Sequence, residues 1–230
     1  MDSNSIQFFF IRHGQLVEPY LNHLVMDYST LSDLATSALD PGINKNAIDL
    51  FNRQTSGLDF SAVSRIYYNN SGFQSRRSLE SAKIMAEVFL RRYKKEITPV
   101  GLSELKEVRF DVRQLVSKDD FKINGMPAIR TALYSSFVNG GSAESIVELE
   151  KRIGVINSVA ARRALKRESV LFVTHDFFMR VLEVYINRAD RLQGVTINDF
   201  EKTSLNSYFS GFLTTTEFNS LTRWGSDIFK

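Results

Sequence analysis

The sequence predicts an α/β fold, a largely parallel sheet layered by helices, on three observations. An apolar run, Phe8 to Ile11, too short for anything but a buried strand, stops at Arg12-His13-Gly14. A second run, Val170-Leu171-Phe172-Val173-Thr174, closes on His175 ahead of an apolar, helix-like segment. Between the two, strand-like and helix-like stretches alternate with no internal repeat.

The elements follow in order. After Gly14 comes a long polar and aromatic connection, Gln15 to Ala38, of the kind that covers a site or carries short helices of its own. Asp40-Pro41-Gly42 marks a break, and Ile43, Ala47, Ile48, Leu50 and Phe51 then share one helical face over Ile43 to Arg53. Arg65 to Asn69 reads as a strand ending in the turn residues Asn69-Asn70-Ser71-Gly72. Arg76 to Tyr93 has helical spacing in Leu79, Ala82, Met85, Ala86 and Phe89, so Arg76 and Arg77 open a helix just after a strand and a turn. Glu96 to Val100, with Pro99, reads as a short edge strand, because proline cannot donate to a central ladder. Leu102 to Leu115 lacks a clean period and reads as irregular, as does Val112 to Asn139. Asn139 to Ser142 is a turn, with Ser142 as cap for a helix carrying Ile146, Leu149, Ile153, Ile156 and Ala160 on one stripe. A helix from Phe177 to Asn187 follows His175, and the tail from Thr203 holds short strand-like pieces and the single Trp224, to which the sequence assigns no role.

At 230 residues and 43% hydrophobic, the chain can bury one sizeable core, and residues 1–230 are expected to form one domain. Lys and Arg number 29 against 26 Asp and Glu, a balance too weak to argue for nucleic acid but compatible with an anionic substrate. The basic clusters at Arg91 to Lys95 and Arg162 to Arg167 fall late in predicted helices, where cations complement the helix dipole. With no cysteine, disulfides, thiolate catalysis and cysteine metal sites are excluded. The N-terminus lacks a basic leader, and no apolar stretch reaches the roughly 18 residues of a membrane span, so a cytoplasmic protein with no membrane partner is expected.

In a largely parallel sheet the strand C-termini converge on one edge, where helix N-termini add positive potential. Arg12, His13, Arg77 and His175 are all predicted there. Two guanidiniums and two imidazoles without metal-ligand spacing suit a phosphoryl group. The planar fork of arginine holds two oxygens at once, and a neutral imidazole can attack phosphorus. The nearby cations are expected to keep His13 neutral near physiological pH. His23 has neither motif nor partner and reads as a loop histidine, with a lid contact as the other option.

These residues also resemble a family. Arg12-His13-Gly14 at the end of the first strand is similar to the signature of the histidine phosphatase superfamily, the phosphoglycerate-mutase-like proteins. Leu39-Asp40-Pro41 through Ala47 resembles that family's Leu-Thr-Pro segment. Phe73 to Ala82, with Arg77 four residues before Ser81-Ala82, resembles its Ser-Pro-Leu-x-Arg-Ala-x-x-Thr-Ala stretch. Leu105-Lys106-Glu107-Val108 resembles its acid motif, Gly141 to Glu144 its Gly-Glu-Ser turn, and Val173-Thr174-His175 with Arg180 its second-histidine motif. Order and spacing over roughly the first four-fifths of the chain carry the likeness.

The resemblance implies a mostly parallel central sheet with helices on both faces, no metal and no cofactor. It implies a phosphomonoester hydrolase acting on a small phosphorylated metabolite. His13 would be the nucleophile, Arg12, Arg77 and His175 would hold the phosphoryl oxygens, and Glu107 would be the general acid and base. Family spacing favours Arg77 over Arg76; Glu107 is preferred as the acid, with Glu104 as the open alternative. Residues 15–38 and 112–139 are expected to form the rim or lid.

The chain departs from the family at Gln15-Leu16, where a hydroxyl is lost. At Asp176-Phe177, glycines are replaced and an acid appears where phosphate would sit, and at Arg109-Phe110-Asp111 a glycine is missing. Two other readings stay open: a phosphoglycerate-type mutase, against which stands the absence of a Glu-Arg-His-Tyr-Gly segment, and a pseudoenzyme that binds a phosphorylated ligand without turnover. Substrate identity and oligomeric state are not legible.

Overall fold

The computed structural model describes residues 6–20, 26–203, 208–215, 218 and 220–224. In chain order these form β1 (Phe8–Arg12), α1 (Tyr28–Ala35), α2 (Ala47–Gln54), β2 (Val63–Tyr68), α3 (Ser75–Tyr93) and β3 (Val100–Gly101). They continue through a 3-10 turn (Ser103–Leu105), α4 (Val112–Leu115), α5 (Lys118–Asn139), α6 (Ile146–Ala164), β4 (Ser169–Thr174), α7 (Asp176–Asn187), α8 (Ile197–Glu201), β5 (Gly211–Thr214) and β6 (Leu221–Trp224).

Among the described residues one six-stranded sheet has the order β3-β2-β4-β1-β5-β6. β1 and β4 are parallel in the register Phe8 to Val170 through Arg12 to Thr174, so the two strands end side by side, at Arg12 and Thr174. β2 and β3 are parallel to them, and β5 and β6 add an antiparallel hairpin on the other side of β1. The central strands are apolar without alternation because both faces are covered. Phe8 and Phe10 join a cluster with α6, α7 and the second half of α5, while Phe9 and Ile11 join one with α2 and α3. Each of these side chains is at most 1% exposed, and full burial contributes about 1.5–3 kcal/mol apiece. Gly211 sits where a Cβ would run into the backbone carbonyl of Phe10, which explains the glycine at the point where β5 joins β1.

Several elements differ from the sequence reading. The second helix begins at Ala47, not Ile43, because Ile43 instead bridges to Leu16 as an isolated antiparallel pair. Of Glu96 to Val100 only Val100 is in a strand, the two-residue β3, which does lie at the sheet edge. The stretch read as irregular holds a 3-10 turn, α4 and the 22-residue α5. Gly125, at φ 56°, and Pro127 interrupt α5 and hide its period, which resumes as buried Ile129, Leu133, Tyr134 and Phe137. Ser145, not Ser142, caps α6, in a reciprocal box with Glu148.

The two stretches expected to form the rim pack on each other. Met26, Leu31 and Leu34 meet Val112, Val116 and Ile129 in a third apolar cluster. Gln74, just before α3, ties this layer to the sheet by donating to Leu34 O at 2.8 Å and Ser37 Oγ at 2.6 Å. Trp224 is buried in β6 with its ring 6.0 Å from that of Phe9. His23 and the N-terminal Met1 to Ser5 lie outside the described residues. No helix among the described residues is long and apolar enough to cross a membrane.

Candidate active site

The ends of β1 and β4 bring His13 and His175 together. Both are buried, at 4% and 0% exposure, and their ring centroids are 5.0 Å apart. The backbone N–H of His13 donates to Thr174 O at 2.9 Å, so the first loop is pinned to the neighbouring strand where the histidines meet. Gly14 is pinned in turn, its N–H donating to Ser81 Oγ at 2.8 Å while Ser81 Oγ donates to Arg77 O at 2.6 Å. Ser78 Oγ accepts from Asn69 N at 3.0 Å and donates to Val173 O at 3.2 Å. Two serines of α3 thus stitch the helix start to three strand ends and fix where Arg77 emerges.

The proton positions follow from the partners. His13 Nδ1 lies 2.8 Å from Gly14 O, a carbonyl that can only accept, so Nδ1 carries the hydrogen and Nε2 presents its lone pair. His175 Nε2 lies 3.4 Å from Asn69 Nδ2, while its Nδ1 is buried and has no protein partner. Asn69 cannot be flipped, since its Oδ1 accepts from Ser71 N at 3.0 Å and its Nδ2 donates to Phe73 O at 2.6 Å. His175 Nε2 is therefore the acceptor, and Nδ1–H is free to donate to a ligand.

Both imidazoles are held neutral. Burial lowers His13 well below the ordinary histidine value, with His175, Arg77 and Arg12 adding to the effect in that order. Burial is also the main cause for His175, ahead of Arg77, Arg12 and Arg152. The cations invoked from sequence act in the expected direction but rank behind desolvation.

The structure separates the paired candidates. Arg77 is 5% exposed, with Nε donating to Asp40 Oδ1 at 3.2 Å and Nη2 buried without a protein partner, whereas the Arg76 side chain is 64% exposed and paired with Glu80. Glu107 is buried where the N-terminus of α7 opens, accepting from the backbone N–H of Val108 at 2.9 Å, Phe177 at 3.3 Å and Phe178 at 2.9 Å. Burial nevertheless pushes its carboxyl up to about 7, against the lowering effect of those N–H groups and with help from Asp176. Glu104 is half-buried on the 3-10 turn with its carboxylate on Ser103 Oγ at 3.0 Å.

Sequence reasoning missed four contributors. Asp40, read as part of a break and of the Leu-Thr-Pro-like segment but given no role in the site, grips Arg77 and also accepts from Arg76 N at 2.7 Å, capping an α3 whose Gln74 supplies no side-chain cap. Asn69, read as a turn residue, faces His175. Arg152 accompanies the apolar stripe of α6, where a buried arginine is the available sequence clue. It pairs with Glu144 at 2.5 Å and donates to the carbonyls of Glu104, at 2.9 and 3.1 Å, and Lys106, holding the loop that carries Glu107. Tyr208, in the tail, lies with its ring centroid 4.3 Å from the Arg12 guanidinium carbon and 5.8 Å from the His13 ring. Nothing in the sequence points to it. Among the described residues no three His, Asp or Glu side chains are grouped to hold a metal ion.

No protein-family profile matches the sequence, and no curated protein does. Solved structures match along nearly the whole chain. A mycobacterial glucosyl-3-phosphoglycerate phosphatase in complex with VO3 superposes with a TM-score of 0.60 at 17% identity, covering 98% of this chain and 99% of its own. The protein described as mycobacterial hydrolase 1 gives 0.61 at 14% identity, covering 95% and 97%. Phosphoglycerate mutase from Bacillus anthracis str. Sterne gives 0.54 at 15%, covering 96% and 92%. The chain has the phosphoglycerate-mutase-like fold.

Within this phosphoglycerate-mutase-like fold the departures of sequence are accommodated. Leu16 is buried in its bridge to Ile43. Asp176 is engaged by Arg180 Nε at 3.2 Å, and Arg180 also donates to Tyr134 and Thr203, so the acid is charge-compensated. Asp111 caps α4 by accepting from Arg113 N at 2.9 Å, and Phe110 packs edge-on against Phe177 at 5.5 Å.

Proposed function

We propose that this chain is a phosphomonoester hydrolase that works through a phosphohistidine on His13, without metal or cofactor, on a small phosphorylated metabolite. The observation that carries the reading is a buried, neutral His13 whose Nδ1–H is spent on Gly14 O, leaving Nε2 as nucleophile, with a second neutral imidazole 5.0 Å away and two guanidiniums bearing on both. The fold's phosphatase and mutase neighbours, one of them a vanadate complex, support it.

His13 Nε2 attacks phosphorus in line, the N–P bond forms and the P–O ester bond breaks. Arg12, Arg77 Nη2 and His175 Nδ1–H bear on the charge of the equatorial oxygens. Glu107, protonated up to about pH 7, gives its proton to the departing alkoxide. Water then attacks the phosphohistidine, Glu107 takes its proton, and orthophosphate leaves as the N–P bond breaks. Selection of the rest of the substrate falls to the described parts of the two stretches expected at the rim, residues 15–20, 26–38 and 112–139.

The test is release of orthophosphate from a panel of phosphorylated metabolites with chelator present, in the wild type and in His13→Ala. Release abolished in the variant, with an acid-labile, base-stable phosphoenzyme trapped in the wild type, is expected. Undiminished release in His13→Ala removes the central residue from the reading.

A further inference from the structure

We infer that Tyr208 is a positioning residue of the phosphate site, its ring the platform that holds the Arg12 guanidinium toward a bound phosphoryl group; this rests on the phosphoryl-binding reading above. A guanidinium serves a phosphate only if its planar fork is presented in the right direction, and a long side chain loses rotamer freedom to achieve that. For Arg77 the direction is set by Asp40. For Arg12 the group beneath the cation is an aromatic face, with Cζ 4.3 Å from the ring centroid, well inside the range of cation–π attraction.

The backbone makes this placement deliberate. Arg12 N donates to Ser210 O at 3.0 Å and Phe209 N donates to Arg12 O at 3.2 Å, so the two residues after Tyr208 hold both backbone polar groups of Arg12. Phe209 takes a positive φ of 56°, a conformation that L residues other than glycine and asparagine rarely adopt. Its own ring is fully buried, 5.4 Å from that of Phe51 and against Gly14. Phe209 anchors the chain inward while Tyr208, only partly buried, turns to the site, with its ring also 5.8 Å from that of His13.

The experiment is binding of orthophosphate and of vanadate by calorimetry to the full chain, which needs no turnover and no knowledge of the metabolite. Tyr208→Phe keeps the platform and is expected to bind within twofold of wild type. Tyr208→Leu is expected to bind about tenfold more weakly. Pentafluorophenylalanine at 208, which keeps the shape and drains electron density from the face, is expected to match Leu rather than Phe, a result that a merely structural ring would not give. In an Arg12→Met background, Tyr208→Leu is expected to add nothing. Equal loss in both backgrounds, or wild-type binding by the Leu or pentafluoro variant, overturns the inference while leaving the phosphate site in place. A wild type that binds neither anion overturns the site itself and this inference with it.

Discussion

The side-chain amide of Asn69 faces Nε2 of His175 across 3.4 Å, and its other contacts leave it no choice but to donate. An aspartate there would accept instead, call the hydrogen to Nε2 and stabilise the imidazolium. Asn69→Asp is expected to raise the pKa of His175 toward the ordinary histidine range and to move the acid limb of phosphate binding with it. Asn69→Ala, which removes the donor without adding charge, is expected to weaken binding without that shift. The measurement is the His175 ring titration by NMR in the two variants, and identical titrations would deny Asn69 control of the tautomer.

Glu107 is placed to carry a proton that most exposed carboxyls have lost by neutral pH. If it protonates the leaving group, Glu107→Gln is expected to lower kcat for alkyl phosphates by about 10²- to 10³-fold, within the span typical of a positioned general acid. With p-nitrophenyl phosphate, whose leaving group needs little help, the loss in the first step is expected to be much smaller. In the wild type the alkaline limb of the alkyl-phosphate profile is expected near pH 7. A uniform loss across leaving groups would mean that Glu107 serves the structure alone.

The same three buried groups set opposing slopes on stability. The two histidines stay neutral in the fold while the unfolded chain protonates them below about 6.5, so their contribution is present above that value and is lost as pH falls. Glu107 holds its proton to about 7 against 4.5 unfolded, so its contribution is present below 4.5 and is lost as pH rises through 7. Between about pH 5 and 6 the two imidazoles therefore make stability rise with pH, and Glu107 opposes that rise. Glu107→Gln is expected to steepen the rise of stability with pH in that window, read by urea unfolding at several pH values; parallel slopes in the two proteins would contradict a raised Glu107.

What the sequence disclosed and what it hid divide along physical lines. Phe8 to Gly14 and Val170 to His175 were legible because a strand buried on both faces is a continuous apolar run, and its end is where polar residues resume. That His13, His175 and Arg77 meet at the strand ends was legible with them. Asp40, Asn69 and Tyr208 were not, because each acts through a partner 37, 106 or 196 positions away in number, and local composition records only their turn or tail context. α5 was hidden by Gly125 and Pro127, which break the apolar period that its later half displays in Ile129, Leu133 and Phe137. Arg152 was hidden in plain view, since helical spacing was counted on apolar residues alone.

Arg152 also supports the most direct test of how the acid is held. Its guanidinium lies over the Phe178 ring at 4.1 Å, pairs with Glu144, whose side chain is 1% exposed, and satisfies the carbonyls of Glu104 and Lys106 on either side of Leu105. Arg152→Met keeps much of the volume but strands a buried carboxylate and two carbonyls. The expected destabilisation is about 3–5 kcal/mol, or roughly 6–20 °C in Tm for a chain of this length. Adding Glu144→Gln removes the stranded charge and is expected to restore part of that stability. Activity is not expected to return with it, because the Glu107 loop still lacks the donors that hold it over α7. Full recovery of both in the double variant would show that the pair contributes charge balance alone.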